Sequence, residues 1–326
     1  IKMNILCRFS VALFLVFMFL GSPTIVAAAY PEKPIEFVTH SAPGGGSDIF
    51  ARRIADMAAQ NKIFSVPLVV VNKSGGSGAV ATGYVATKKD EPYMIFATTI
   101  SIYTTLAKGE VNVTLGDYTP ICALVQDPNI LAVRTEAPYK NVKEFIAAAK
   151  KKRKGLNQGL ASLGATDHIL SHRIQKVTGA EFNIVSFKQG TEANMALLGG
   201  HVDFGLGNPS EMAGQMEAGK LRALATATDK RLPYLPKVPT LKEEGIDVSI
   251  AQIRGIWGTK NMPKEAVQYL ETGFNRLTKT ESWKKYLEDE LVLDAFMGSA
   301  EYSKWLEKEL KNYTQELSEL GLIKKK

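Results

Sequence analysis

The feature that most constrains this chain is a repeated alternation of short β-branched runs with helical runs, joined by glycine-rich turns. Ile35 to Thr39, Leu68 to Val71 and Tyr93 to Thr98 are short, apolar or aromatic, and bounded by turn residues, the pattern of buried strands. Asp48 to Ile63 follows the first of them with Ile49, Phe50, Ile54 and Met57 at helical spacing and Asp48 placed to cap. Ser77 to Lys88 reads as a small-residue helix. This βαβα order implies a mostly parallel sheet covered on both faces.

A second series begins near Asn129. Ile130 to Val133, Leu156 to Gly159, Asn183 to Phe187, Val202 to Leu206 and Leu221 to Thr226 read as strands. Val142 to Lys152, Asp167 to Val177, Glu192 to Leu198 and Pro209 to Ala218 read as the helices between them. Leu232 to Pro239 carries three prolines in eight residues and reads as irregular surface chain. After Ile250 to Trp257 the remainder is helical over Lys264 to Leu277, Ser282 to Leu287 and Ala300 to Leu320. The predicted fold class is α/β with two lobes and a cleft between them. The expected division is 30–127 plus 252–326 for one lobe and 128–251 for the other. In open α/β sheets, ligands sit beyond the carboxyl ends of strands, where turns and helix starts present N–H groups.

The N-terminal segment predicts export. Lys2 and Arg8 precede an apolar run from Phe9 to Leu20, and Ala27-Ala28-Ala29 offers small residues for cleavage after Ala29. The run is well short of the roughly 20 residues that span a bilayer. The expectation is therefore a signal peptide over 1–29 and a periplasmic mature protein. Cys7 lies ahead of the apolar run, where it cannot serve as a lipid-attachment site, and only Cys122 would remain, in an apolar stretch that reads as core. The formal charge of +7 is dispersed except at 150–154 and 324–326, which reads as solvated helix ends and argues against nucleic acid as a partner.

Each glycine-rich loop admits a chemical role and a plainer one. Ala42-Pro43-Gly44-Gly45-Gly46-Ser47-Asp48 joins the first strand to the first helix, with room for an anion against bare backbone. A plain strand-to-helix turn would need the same glycines. It is no Walker loop, because no Gly-Lys-Ser/Thr follows. Asn72-Lys73-Ser74-Gly75-Gly76-Ser77-Gly78 loosely matches a dinucleotide fingerprint, but the next strand ends Ala97-Thr98-Thr99 with no acid for a ribose. His168 and His172 are spaced like zinc ligands, yet Ile169 stands where a metalloprotease needs Glu. Gly75-Gly76-Ser77-Gly78 is not a nucleophile elbow, since Ala79 follows. The expectation is no catalytic residue, no metal and no cofactor.

Several ordered segments then carry a resemblance. They are Tyr30-Pro31-x-Lys33-Pro34-Ile35, Pro43-Gly44-Gly45-Gly46-x-Asp48-x-x-Ala51-Arg52 and Val71-Asn72, followed by Leu197-Leu198-Gly199-Gly200-x-Val202-Asp203. Ala218-Gly219-Lys220-Leu221-Arg222-Ala223-Leu224-Ala225, Lys230-Arg231 and Val238-Pro239-Thr240-Leu241-x-Glu243-x-Gly245 complete the set. Together they resemble the solute receptors of tripartite tricarboxylate transporters, the Bug family, over essentially the whole mature chain. The resemblance implies a type II periplasmic-binding-protein fold, a small organic acid as ligand, membrane permease subunits as partners, and a monomer that catalyses nothing. It also implies that the first-lobe loop Ser41 to Asp48 (Ser41, Ala42, Pro43, Gly44, Gly45, Gly46 and Asp48), with Asn72, Thr98 and Ser101, faces Ser162, Thr166 and His168. Gly190, Asp203 and Asn208 are expected near the cleft in the second lobe. Service to a signalling system, or hydrolysis, are the alternative functions. The chain departs from the family at His40-Ser41, where Pro-aromatic is usual, and at Ser186-Phe187-Lys188-Gln189-Gly190, where Pro-Tyr-x-Gly is usual. His40, Lys188 and Arg254 either add positive character for a further carboxylate or face away from the ligand.

Overall fold

A computed structural model describes residues 30–151, 153–160, 163–187 and 190–323. The expected signal segment, with its cleavage point, and Ser162 and Lys188 lie outside the described residues. The chain opens with β1 (Ile35–Thr39), α1 (Gly46–Gln60), β2 (Leu68–Asn72), α2 (Ala79–Ala86), β3 (Met94–Thr98), α3 (Ile100–Lys108) and β4 (Tyr118–Asp127). It then builds β5 (Ile130–Arg134), α4 (Val142–Lys151), β6 (Leu156–Leu160), α5 (Thr166–Thr178), β7 (Phe182–Ser186), α6 (Gly190–Leu198), β8 (Phe204–Gly207), α7 (Pro209–Glu217) and β9 (Leu221–Thr226). It finishes with β10 (Gln252–Thr259), α8 (Lys264–Leu277), α9 (Glu281–Asp289), β11 (Leu293–Gly298) and α10 (Ser299–Glu319).

Two sheets share no strand: one runs β11-β4-β10-β3-β1-β2 and the other β7-β6-β8-β5-β9. The β2-β1-β3 and β7-β6-β8 portions are parallel, as the βαβ alternation predicts. The remainder is antiparallel, because β4 and β10 carry the chain out of the first sheet and back beside one another. β4 was not predicted, and Pro120 is the reason, since a proline cannot donate to a ladder. The strand tolerates it at a register shift opposite Trp257, outside the stretch that pairs with β11. α3 was also missed, because Ile100 to Lys108 is rich in β-branched residues. Burial of Ile102, Tyr103, Thr104 and Thr105 overrides that weak propensity.

One apolar cluster is continuous from Val38 and Phe96 of the first lobe to Phe145, Phe182 and Phe204 of the second. α10 carries it across, burying Tyr302, Leu306, Tyr313 and Leu317 on one helical face. The end of α10 also pairs with α5: Arg173 grips Glu316 at 2.6 and 3.1 Å, and Glu319 accepts from His172 at 2.7 Å and Lys176 at 3.1 Å. The Glu319 carboxyl is pulled down to about 2 by its hydrogen bonds from His172, Gln315 and Lys176.

The two crossings are joined by a charge pair. Arg254 Nε donates to Asp127 Oδ2 at 2.6 Å, and the Asp127 side chain is 3% exposed. A further guanidinium nitrogen reaches the Gly46 carbonyl at 3.0 Å, and Arg254 lies over the Phe50 ring. Removing one partner leaves a charge stranded in protein, which typically costs about 3–5 kcal/mol. Asp127→Ala is therefore expected to lose roughly that much unfolding free energy in a urea titration; a loss below about 1 kcal/mol, the level of an exposed pair, would contradict it.

Candidate functional site

The carboxyl ends of β1, β2 and β3 lie at one edge of the first sheet, and those of β6 and β8 face the opposing lobe. Two adjoining chambers occupy the space between. The first, about 250 Å³, is lined by Ser101 of α3, Thr166 and Asp167 of α5, Gly190 and Asn194 of α6, Asn208 and Glu211 around the start of α7, and Asn129 and Gln252 beside the crossings. The second, about 200 Å³, is lined by His40, Ser77, Gly78, Thr104, Lys108 and Gly164. Ile100, Ser101 and Ala165 line both.

Helix starts make the wall between the chambers. α3 begins after Thr99 and α5 after Ala165, each preceding residue being extended. First-turn N–H groups have no intrahelical acceptor and carry the positive end of the helix dipole. Ser101 and Thr166 therefore bring hydroxyls and first-turn amide donors to one place from opposite lobes, a setting suited to an anion. α7 begins at the cleft as well, with Pro209 at its first position and Asn208 before it.

The expected site residues divide. Ser101, Thr166, Gly190 and Asn208 line the cleft. Ser41, Ala42, Pro43, Gly44, Gly45, Gly46, Asp48 and Asn72 share the sheet edge but line neither chamber. The polar groups of that loop are turned on one another: Gly44 N donates to Asp48 Oδ2 at 2.8 Å, Gly45 N to Ala42 O at 3.0 Å, and Ser47 N to Ser41 Oγ at 3.3 Å. Asn72 donates to Ser41 O at 2.9 Å and to Asp48 Oδ1 at 2.7 Å. Burial opposes charge on Asp48, but hydrogen bonds from Arg52, Gly44 and Asn72 outweigh it and hold the carboxyl below its usual range. A Cβ on Gly45 would meet Ser41 Cβ at 2.9 Å, so this glycine serves the loop's own packing.

Three further placements are corrections. Thr98 is fully buried and bonded to Tyr103, Tyr302 and the Gly255 carbonyl, so it belongs to the core. Asp203 precedes β8 and accepts from Asn157 N at 2.7 Å where β6 begins, the end of the sheet away from Asn208. His168 is buried and its Nδ1 accepts from Gly164 N at 3.0 Å, which makes it a brace for the turn before α5. Burial lowers its pKa, with His172 and Lys108 adding to the effect.

His40 and Arg254 are placed as well. Arg254 is committed to Asp127 and Gly46. His40 lines the second chamber with Nε2 3.4 Å from Thr99 Oγ1, but burial first, and Arg254 second, lower its pKa to about 4. It is neutral at neutral pH and adds no positive charge. Lys108, which reaches Leu163 O at 3.4 Å, is the basic group of that chamber. Cys122 is fully buried, and burial pushes its thiol well up, as a core cysteine.

Asn129, Asn194, Glu211 and Gln252 were missed from sequence, as were Ser77 and Lys108. The strand-end rule points to Glu211, because it lies in the first turn of the helix after β8. Asn129 follows the outgoing crossing, which only becomes evident once β4 is recognised as a strand.

The sequence profile described as the tripartite tricarboxylate transporter family receptor matches residues 50–322. The chain belongs to this family. The protein BugT of Bordetella pertussis is 27% identical over 231 residues, 70% of each chain. A TctC solute-binding protein from Polaromonas superposes with a TM-score of 0.79 at 31% identity, over 89% of this chain and all of the other. An R. palustris protein solved with adipate superposes with a TM-score of 0.78 at 25% identity, over 90% of this chain and 98% of the other. The chain is thus an extracytoplasmic solute-binding receptor of the TctC type with a two-lobed type II fold.

Two expectations test the cleft's construction. Gly78 has φ +102°, and a Cβ there would lie 2.6 Å from Ile102 Cδ1 of α3. Gly78→Ala should lower unfolding free energy by about 1–3 kcal/mol in a denaturant titration; an unchanged midpoint would show that α3 gives way freely. For His40, the folded pKa of about 4 lies below the unfolded value of 6.5, so the unfolded chain binds more protons between them. Its stabilising contribution is complete above pH 6.5 and is lost as pH falls toward 4. The stability advantage of wild type over His40→Gln should shrink by on the order of 3 kcal/mol across that window. A constant difference would count against a buried neutral imidazole.

Proposed function

We propose that the chain captures a small organic carboxylate between its lobes, in the periplasm, and delivers it to the membrane subunits of a tripartite transporter without altering it. The observation that carries this reading is the meeting of two helix starts, α3 from one lobe and α5 from the other, at Ser101 and Thr166. Neutral N–H and hydroxyl donors can solvate a carboxylate without a buried counter-charge, directly or through water. Lys108 adds a positive potential from the second chamber. The adipate found with the R. palustris relative supports a carboxylate of several carbons, and chambers of about 250 and 200 Å³ accommodate one.

In this reading Ser101, Thr166, Gly190 and Asn208 contact the ligand, with Ser162 as a further contact. The Ser41 to Asp48 loop serves as a stiff lip at the same sheet edge, fixed by Asp48, Asn72 and Arg254.

A thermal-shift screen over mono-, di- and tricarboxylates tests the reading, since a ligand that binds the folded state raises its apparent stability. At least one acid should raise the melting temperature in proportion to the logarithm of its concentration. For that acid, Ser101→Ala and Thr166→Ala should each weaken binding by about 1–3 kcal/mol in calorimetry. If no carboxylate shifts the melt, the proposed ligand class is wrong. If both variants bind as wild type does, the carboxylate sits elsewhere.

A further inference from the structure

The cleft is electrically lopsided. Among the described residues lining the larger chamber, the ionisable side chains are Asp167 and Glu211, both acids. The smaller chamber instead holds Lys108 and the neutral His40, together with Ser77 and Thr104. A site built for a carboxylate alone gains nothing from an acid such as Glu211 in its wall, because like charges repel most strongly where water is displaced.

A buried acceptor points the same way. Asn129 lines the larger chamber and is 2% exposed. Its Nδ2 donates to the Leu206 carbonyl at 3.3 Å, which fixes which end of the amide is oxygen. Asn129 Oδ1 is buried with no partner among the described residues. Native proteins rarely leave such a group unsatisfied, and a binding site is where an exception has a use. What Oδ1 needs is a donor.

Glu211, an exposed acid at the same wall, can take one too. Its Oε2 accepts a long hydrogen bond from Asn194 at 3.4 Å, and no basic side chain among the described residues forms an ion pair with it. A Cβ on Gly190 would lie 2.8 Å from this oxygen, so the absence of a side chain there leaves room for the carboxylate. Desolvation against the protein first, and then Asp127, raise its pKa, while Asn194 and Arg254 pull it down. Asp167 Oδ1, on the α5 side, accepts from His168 N at 2.9 Å.

We infer that the ligand is an amine-bearing carboxylate, held with its carboxylate at the Ser101 and Thr166 helix starts and its protonated amine against Asn129 Oδ1 and Glu211 in the larger chamber. This rests on the carboxylate-receptor reading above and adds the second functional group. An ammonium supplies the several N–H donors that these acceptors lack, and its charge offsets theirs. The larger chamber then reads both ends of one molecule, the carboxylate at Ser101 and Thr166 and the amine at Asn129 and Glu211, and a plain diacid would set a second carboxylate against Glu211.

Calorimetry with matched six-carbon probes decides it: adipate, 2-aminoadipate, 6-aminohexanoate and hexylamine. Wild type should bind 2-aminoadipate or 6-aminohexanoate at least tenfold more tightly than adipate, with hexylamine weaker than either. Glu211→Gln and Asn129→Leu, each checked for folding by circular dichroism and melting temperature, should cut that amine preference at least fivefold. If adipate binds as tightly as both amine-bearing acids, or the ratio survives in a folded Glu211→Gln protein, this inference is overturned while the carboxylate reading stands. If hexylamine alone binds, both readings are overturned.

Discussion

The pairing of Arg254 with Asp127 is the interaction on which the rest of the molecule depends. It sits where the chain leaves the first sheet and where it returns, so it fixes two backbone crossings against each other. A charge pair so enclosed is stabilising only while both partners are present. Its third bond, to the Gly46 carbonyl, extends the constraint to the start of α1. Asn129 lies two residues beyond Asp127 and Gln252 two before Arg254, and both line the larger chamber. The floor of the cleft is thus flanked by the ion pair that ties the two crossings to each other.

The parallel portions of both sheets were legible because each βα unit carries its own period, cap and turn signals. Leu221 to Thr226 and Lys264 to Leu277 have the limits their patterns predict. The elements that were not legible are those whose local preference is overruled by contacts distant in sequence. Pro120 argues against a strand, yet β4 lies between β10 and β11 and has neighbours on both sides. The residues of α3 favour a strand, yet burial against α10 and β10 makes them a helix. Ser101 of α3 was named without its helix, whereas Asn129, just past the end of β4, was not named.

The site was legible as a place more than as a set of groups. The strand-end rule leads to the edge of each lobe where the chambers lie, and the second-lobe positions Thr166, Gly190 and Asn208, which the family resemblance implied, line the larger one. Three consecutive glycines drew attention to Gly44, Gly45 and Gly46, but a sequence does not reveal that Asp48 and Ser41 will absorb the loop's donors. In the same way His40 looks like a source of positive charge until its burial is known. Family membership fixes the fold and leaves these local electrostatics to the individual chain.

The C-terminal helix has a mechanical consequence. Two bodies fastened at two separated places keep one easy degree of freedom, a rotation about the line joining the fastenings. One fastening here is the pair of crossing strands, and the other is the salt-bridged seam where Glu316 and Glu319 of α10 meet Arg173, His172 and Lys176 of α5. Sliding or twisting of one lobe across the other would shear that seam, whereas swinging about it need not. The helix lies along both fastenings as a spine lies along a book, so any swing of the pages would turn about it.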